Sequence, residues 1–205
     1  MARRARRSRT VVVFMRAPVL GRVKSRLARD IGAIAAWQFY KRSSQRLVRR
    51  LEREPTWSVT IAWAEPPSAS QRQRRPCDVW QGSGDIGRRM ERCLRLALPG
   101  PVVLLGADIP GVRAGHIRNA FRALQRAPLV FGPAGDGGFW LVGARNGRQL
   151  PRPLFGPGIR WSSAQTLCDV SERLRLPHAL TDTLDDVDYA ADLPASDSLT
   201  GFPGR

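Results

Sequence analysis

The stretch PVVLLGAD, residues 101–108, is the clearest buried strand in the chain. Its apolar run is continuous and does not alternate with polar residues, which is typical of a strand covered on both faces of a sheet. Such strands belong to the mostly parallel sheets of α/β proteins. The run ends in Asp108, and Pro110 follows two residues later. This stretch therefore predicts an α/β fold with a carboxylate at the end of a buried strand.

Shorter apolar runs flank this strand and are separated by segments in which apolar residues have helical spacing. The other predicted strands are VVVFM (11–15), VTIAWA (59–64), a weak CDVW (77–80), PLVF (128–131), FWLVG (139–143) and a last strand from His178. The predicted helices cover about 27–51 with a break at Gly32, then 86–97, 114–126, 162–174 and a short terminal segment. We expect an exposed loop at PPSASQRQRRP (66–76). The alternation predicts an α/β sandwich with a mostly parallel sheet.

The length of 205 residues and the hydrophobic content of 42% fit one domain. We expect a disordered basic arm over residues 1–9, a single domain over residues 10–195 and a flexible tail over residues 196–205. No apolar run approaches the roughly 18 residues of a membrane span. TVVVFM (10–15) is too short for a secretory core, and no small-residue cleavage site follows it. We therefore expect a cytoplasmic protein.

The net charge of +17 raises the question of nucleic-acid binding. The basic residues are almost all arginine, since Lys24 and Lys41 are the only lysines, and they are spread along the whole chain. No zinc-finger spacing, aromatic RNA-binding motif or basic heptad helix accompanies them. The composition therefore disfavours a nucleic-acid interface, and a basic binding protein is kept only as a remote alternative.

The three cysteines, Cys77, Cys93 and Cys168, are far apart in the sequence. Their odd number and wide spacing predict reduced, mostly buried thiols and not a disulfide framework or a zinc cluster. Helical spacing also places Ala164, Leu167, Cys168 and Leu174 on the inward face of the predicted helix 162–174.

Acidic residues follow several predicted strands, and open α/β sheets bind ligands at the carboxyl ends of their strands. Asp108 follows the strand of residues 102–106, and Asp185, Asp186 and Asp188 follow the last strand. Hard carboxylate oxygens suit Mg²⁺ or Mn²⁺, which usually bind one or two carboxylates together with substrate phosphates. A helix cap or turn is the alternative role for Asp108.

The segment LDDVD (184–188) places Asp186 and Asp188 two residues apart. If the segment is extended, both side chains lie on one face, about 7 Å apart by the rise of a strand. Like charges at that separation are costly unless a cation or an arginine neutralises them. The alternative is an exposed acidic turn.

In GPAGDGGFWLVGAR (132–145), Asp136 stands among glycines between two apolar runs. Asp-Gly is a strong hairpin signal, so a simple turn is one interpretation. The other is that Gly137 and Gly138 let a ligand approach the backbone while Asp136 faces it.

The loop APVLGRVKSRL (17–27) connects the first strand to a helix and contains Lys24, Ser25 and Arg26. Backbone N–H groups and the helix dipole make such a connection a common phosphate site. It matches neither a Walker A sequence nor the pattern G-x-G-x-x-G, so a solvated surface loop is the alternative. A second glycine-rich turn, GSGDIGRR (82–89), leads into the next helix, where Asp85 is the expected N-cap. One interpretation places its backbone N–H groups and Arg88 or Arg89 near an anion, and the other is a simple loop.

Taken together, five ordered motifs resemble the DUF2064 family of bacterial transferases. They read F-M-R-A-P-x-x-G-x-V-K-S-R-L, Q-G-x-G-D-I-G-x-R-M, G-A-D-I-P, G-P-A-x-D-G-G-F-W-L-V-G and L-x-D-V-D-x-x-x-D-L, and they extend over about residues 10–193. The family is related to GT-A nucleotide-diphospho-sugar transferases, and some members are linked to arsenosugar biosynthesis as glycosyltransferases. The resemblance implies a GT-A fold, that is, a Rossmann-like α/β/α sandwich with a mixed sheet.

The resemblance also implies a nucleotide near the first loop and a divalent ion, Mg²⁺ or Mn²⁺, at Asp108. The nucleotide and phosphate residues that we predict are Ala17, Pro18, Gly21, Lys24, Ser25, Arg26, Gly84 and Asp85. The predicted metal ligands are Asp108, Asp186 and Asp188, and the predicted acceptor-side residues are Gly137, Gly138 and Trp161. Asp136 and Lys24 are the predicted catalytic residues. The chain departs from the family pattern at Arg88 and at Phe139 or Trp140.

Two reactions fit this pattern. The first is metal-dependent glycosyl transfer from a nucleotide-diphosphate sugar to a small acceptor. The second is nucleotidyl transfer from a nucleotide triphosphate to a small phosphorylated substrate, because the chain also looks like guanylyltransferases of that type in the loop that contains Lys24 and Arg26. Glycosyl transfer is the function that we predict, and nucleotidyl transfer is the alternative.

Overall fold

The structure is a computed structural model that describes residues 9–193, apart from the side chain of Arg72. The predicted arm, except for Arg9, and the predicted tail lie outside the described residues. Arg9 is already attached to the domain, because its carbonyl oxygen accepts a hydrogen bond of 3.0 Å from the backbone N–H of Ser58.

The described residues form one seven-stranded sheet in the order β3-β2-β1-β4-β6-β5-β7. The strands are β1 (Thr10–Met15), β2 (Ser58–Trp63), β3 (Val79–Trp80), β4 (Val102–Gly106), β5 (Leu129–Pro133), β6 (Phe139–Ala144) and β7 (His178–Leu180). The α-helices are α1 (Ser25–Ile31), α2 (Ala33–Glu52), α3 (Ala69–Arg74), α4 (Ile86–Leu96), α5 (Ala114–Ala123) and α6 (Thr166–Arg173). Short 3₁₀ turns cover Gly147–Gln149 and Ala190–Asp192. Only β6 runs antiparallel to its neighbours, so the predicted mostly parallel α/β sheet is confirmed.

Helices cover both faces of the sheet, because the central strands are apolar on both sides. Val11 and Val13 of β1 face the layer that contains α2 and α5, whereas Val12 faces the layer that contains α4 and α6. On the first side the fully buried Trp57 packs against Phe121 of α5, with ring centroids 6.0 Å apart. Continuous burial of this kind explains the unbroken apolar run in the sequence.

The connection between β5 and β6 is a hairpin. The two strands pair in antiparallel register, and the turn between them is closed by hydrogen bonds between Ala134 and Gly138 and between Gly137 and Ala134. The turn interpretation of the Asp136 segment is therefore confirmed.

Two predictions of local structure are wrong. Residues 66–76 contain helix α3, because Ser68 and Gln71 form a capping box that stabilises its first turn. Helix α6 begins at Thr166 and not at 162, and its buried residues are Thr166, Asp169 and Val170. Leu167 and Leu174 pack against the same core as predicted. Ala164 and Cys168 are instead exposed.

The cysteine prediction also needs correction. Cys77 is exposed as well, and only Cys93 is a buried thiol. Burial in the layer of α4 raises the pKa of Cys93 to about 12.

The segment after β7 crosses the carboxyl edge of the sheet. Its backbone N–H groups donate to the strand ends and to the loop after β4: Thr181 to Phe131, Leu184 to Pro133 and Val187 to Asp108. This path brings residues 184–188 beside the end of β4. Among the described residues, no helix is long and apolar enough to span a bilayer.

Candidate functional site

Three aspartates from two distant segments converge on one lysine. The ammonium group of Lys24 donates hydrogen bonds to Asp108 Oδ2 at 2.8 Å and to Asp188 Oδ1 at 3.0 Å. Asp186 Oδ2 lies 3.8 Å from the same nitrogen. The Lys24 side chain is 6% exposed, whereas the three carboxylates are 29–37% exposed. The predicted convergence of these aspartates is present, and the side chain at their centre is Lys24; the divalent ion expected from the sequence stays a prediction.

The backbone around Lys24 explains how the ammonium reaches this position. The loop leaves β1 at Met15, and the phenol of Tyr40 fixes it by accepting from the N–H of Arg16 and donating to its carbonyl. Lys24 itself has φ 50° and ψ 50°, a left-handed conformation that is uncommon for a residue with a side chain. It ends the loop directly before α1, so the side chain turns inward toward the carboxyl ends of the strands.

Asp186 and Asp188 face Lys24 because the segment between them is extended. Val187 points the opposite way and is 2% exposed in a small core with Leu27 and Phe39. Asp188 also accepts a hydrogen bond of 2.6 Å from Arg26 Nη1. The alternation that the sequence predicted at LDDVD is thus confirmed, since an apolar residue anchors the segment between two carboxylates.

The charges in this cluster shift one another's pKa values. Burial opposes the charge of Lys24, but Asp108 and Asp188 outweigh it and raise the lysine pKa. Burial, then the neighbouring charge of Asp108, raises the pKa of Asp186 to about 6, although Lys24 opposes the shift. Burial also acts to raise the pKa of Asp188, but hydrogen bonds from Lys24 and Arg26 overcome it and lower that pKa. The ammonium of Lys24 therefore does not offset the burial of Asp186 and its repulsion by Asp108.

The donor set has the chemistry that Mg²⁺ and Mn²⁺ prefer, since it consists of carboxylate oxygens that approach a common cation. The described residues nevertheless contain no group of three His, Cys, Asp or Glu side chains arranged to hold a metal ion. Lys24 takes the central position. A metal at Asp108 would have to share those oxygens with the ammonium group or displace it.

Two cavities meet at Asp108. The first, which we call the basic cavity, has a volume of about 550 Å³ and lies between the loop after β1 and the start of α4. Its cationic lining residues are Arg16, Arg22, Lys24, Arg26 and Arg89. Phe14, Tyr40 and Gln81 form part of its apolar and polar wall. A pocket with this many cations is suited to a multiply charged anion such as a diphosphate.

The second cavity, which we call the acidic cavity, has a volume of about 210 Å³ and lies between the β5–β6 turn and the loop before α6. Its charged lining residues are Asp108, Asp136 and Asp186. Trp140, Phe139 and Trp161 provide aromatic surface, and Ser162, Ser163 and Thr166 provide hydroxyl groups. The cavities share Ile86, Gly106 and Asp108.

The β5–β6 turn is held so that Asp136 lines the acidic cavity. Asp136 Oδ1 accepts from the N–H of Gly138 at 2.9 Å, and Asp185 Oδ1 accepts from the N–H of Gly135 at 2.6 Å. Gly137 has φ +84°, and a Cβ there would collide with the carbonyl oxygen of Ala164. Asp136 is therefore both a turn residue and a cavity residue.

The structure brings some of the predicted site residues together and leaves others apart. Lys24, Ser25 and Arg26 line the basic cavity, and Gly138 and Trp161 line the acidic cavity. The predicted residues that line neither are Ala17, Pro18, Gly21, Gly84, Asp85 and Gly137. Of these, Pro18 accepts a hydrogen bond of 2.7 Å from Trp37, and Asp85 is the N-cap of α4 as expected. The six residues belong to three connections: the loop before α1, the turn before α4 and the β5–β6 turn.

Sequence reasoning missed Arg16, Tyr40 and Gln81. Gln81 is 1% exposed at the end of β3, where its side-chain amide donates to the carbonyl of Ala62 at 2.7 Å and accepts from Arg89. The sequence did contain one signal for Gln81. It follows a predicted strand directly, as Asp108 does, and it precedes the glycine-rich turn at residues 82–84. Between the two arginines considered there, Arg89 lines the cavity, whereas the Arg88 side chain is 79% exposed.

The fold is that of the GT-A-like nucleotide-diphospho-sugar transferases. A candidate nucleotide-diphospho-sugar transferase from Desulfovibrio desulfuricans G20 is similar over 89% of this chain and 83% of its own, with a TM-score of 0.77 and 28% identity. The chain belongs to the DUF2064 family, whose model, described as an uncharacterized protein conserved in bacteria, matches residues 47–163.

More distant structures share the fold alone. The bifunctional IspDF from Campylobacter jejuni is 8% identical with a TM-score of 0.54, and the match covers 91% of this chain and 53% of that one. The 4-diphosphocytidyl-2C-methyl-D-erythritol synthase from Anaerococcus prevotii DSM 20548 is also 8% identical, with a TM-score of 0.50 and coverage of 92% and 94%. No curated protein matches the chain in sequence.

Proposed function

We propose that the protein is a metal-dependent glycosyltransferase that uses a nucleotide-diphosphate sugar and a small acceptor. The observation that carries this proposal is the contact between a basic cavity and an acidic cavity at Asp108. A donor with a diphosphate would occupy the first, and its sugar would point toward the second. The 28% identical structure described as a candidate nucleotide-diphospho-sugar transferase supports this assignment.

In this proposal Lys24 and Arg26 hold the diphosphate. Asp108, with Asp186 or Asp188, would hold Mg²⁺ or Mn²⁺, and a bound metal ion would neutralise charge that grows on the leaving diphosphate. Lys24 would then release part of its contact with the carboxylates and donate to phosphate oxygens. Its single long side chain reaches both groups of partners, since it lines the basic cavity and bonds Asp108.

Asp136 serves as the base on the acceptor side. The bond between the sugar C1 and the diphosphate oxygen breaks, and the nucleoside diphosphate leaves with the electron pair. A new bond forms between C1 and an acceptor oxygen or nitrogen, and the acceptor proton passes to the Asp136 carboxylate. Asp136 is exposed enough to lose that proton to water afterwards.

A melting screen with nucleotide ligands tests this function. We expect nucleotide-diphosphate sugars with Mn²⁺ to raise the melting temperature of the wild type, because a ligand that binds only the folded state stabilises it. Asp108→Asn should remove the Mn²⁺-dependent part of that rise, whereas Glu172→Gln, a carboxylate outside both cavities, should retain it. A rise that is the same in both variants contradicts the assignment of Asp108.

Nucleotidyl transfer is the second candidate. It is favoured by the shared fold of the 4-diphosphocytidyl-2C-methyl-D-erythritol synthase. In that reaction Lys24 and Arg26 would hold a triphosphate, and pyrophosphate would leave. The leaving group separates the two, because this candidate predicts release of pyrophosphate from a nucleotide triphosphate, whereas glycosyl transfer predicts release of a nucleoside diphosphate from the sugar donor.

A further inference from the structure

The acidic cavity has an unusual balance of charge for a protein with a net charge of +17. Three carboxylates line it, and no lysine, arginine or histidine is found among the described residues of its wall. Asp108 and Asp186 have the Lys24 ammonium at 2.8 and 3.8 Å on the side of the basic cavity. Among the described residues, Asp136 forms no ion pair, and its side chain accepts one hydrogen bond, from the backbone N–H of Gly138. The charge of its wall therefore disfavours the binding of an anionic group in the acidic cavity.

The rest of the wall is aromatic and hydroxylated. Trp161 is held edge-on by Phe139 and Phe155, with ring centroids 6.5 and 5.4 Å away. A Cβ at Gly87 would collide with its indole, so Trp161 packs directly on the first turn of α4. A rigid aromatic face beside carboxylates accepts C–H groups or an ammonium on the ring and hydroxyl or amino hydrogens on the oxygens.

We propose that the acceptor is a small compound that carries hydroxyl or amino groups and neither a phosphate nor a carboxylate. This inference rests on the proposed function, since it assigns the acidic cavity to the acceptor. Anionic groups bind in the neighbouring basic cavity, where five cations line the wall. A phosphorylated co-substrate would meet Asp136, for which the described residues offer no facing cation. The two cavities thus sort the two substrates by charge.

Binding of matched sugars tests the inference without knowledge of the natural acceptor. Glucose, glucosamine and glucose 6-phosphate are titrated into the wild-type protein with Mn²⁺, and binding is followed by ligand-observed saturation-transfer NMR. We expect glucose and glucosamine to bind at least tenfold more tightly than glucose 6-phosphate. Trp161→Ala should abolish binding of both, and Asp136→Asn should weaken glucosamine more than glucose. Trp80→Ala and Glu172→Gln, which alter an indole and a carboxylate outside both cavities, should change neither.

The outcomes separate this inference from the proposed function. Glucose 6-phosphate that binds as well as glucose, or better, overturns the inference. Failure of both glucose and glucosamine to bind, while nucleoside diphosphates still stabilise the protein, also overturns it and leaves the proposed function standing. Failure of nucleoside diphosphates to stabilise the protein, with glucosamine bound at Trp161, overturns the proposed function and retains the charge preference of the cavity.

Discussion

Replacement of Lys24 by methionine should destabilise the metal-free protein measurably. The ammonium makes two hydrogen bonds to carboxylates, at 2.8 and 3.0 Å, and a bond to a charged group is worth about 1.5–3 kcal/mol when it is well buried. Lys24 is buried, but its partners are 29–37% exposed. Water therefore screens part of the ion pairs in the wild type and part of the repulsion among the three carboxylates in the variant. We therefore expect a loss of about 2 kcal/mol, well below the 3–5 kcal/mol of a fully buried broken pair.

For a chain of 205 residues, 1 kcal/mol corresponds to about 2–4 °C in melting temperature, so Lys24→Met should melt about 4–8 °C below the wild type in EDTA. Calorimetry at neutral pH measures this difference. Arg26→Met is the matched control, because its 57% exposed guanidinium contacts Asp188 alone among the three carboxylates and should matter much less. Equal melting of Lys24→Met and the wild type, or an equal loss in Arg26→Met, would refute the central role of the lysine. Mn²⁺ should stabilise Lys24→Met more than the wild type, since the same oxygens become free.

Other variants test the supports of the site and the core. Gly137→Ala should lower the melting temperature and weaken glucose binding, because φ is +84° and the methyl group would collide with Ala164; unchanged values would contradict this. The bidentate contact of Arg160 lowers the pKa of Asp169, so that carboxylate stabilises the fold above about pH 4 and less as the pH falls. The melting difference between wild type and Asp169→Asn should therefore shrink from pH 7 to pH 3, and a constant difference would refute the ionic contribution. Trp57→Ala should cost about 3–5 kcal/mol in urea unfolding, as a fully buried indole is removed, and a loss below 1 kcal/mol would argue against that packing.

Much of the fold could be predicted because its signals are local. The unbroken apolar runs at 11–15 and 102–105 mark strands buried on both faces, and Gly32 does separate two helices. The errors arose where a local signal was overlooked or shifted. The capping box at Ser68 was overlooked in a polar stretch, and a helix that starts at Thr166 turns Cys168 outward.

The candidate site could be predicted in part. The aspartates were found because each follows a strand, and the spacing of Asp186 and Asp188 placed both on one face. Arg16, Tyr40 and Gln81 were not found. They belong to separate parts of the chain, and only the tertiary structure brings them together in the wall of the basic cavity.

The sequence alone determined which side chains stand at strand ends and which alternate with apolar anchors, because burial patterns and turn chemistry act over a few residues. Only the tertiary structure decided that Lys24 is the shared partner of Asp108 and Asp188, which lie 84 and 164 residues away along the chain. It also decided that five cations line one cavity, that Asp136 lines the neighbouring one, and that the two cavities meet at Asp108. These contacts between distant residues depend on the order of the strands and on the path of the segment after β7. Neither can be read from the local sequence.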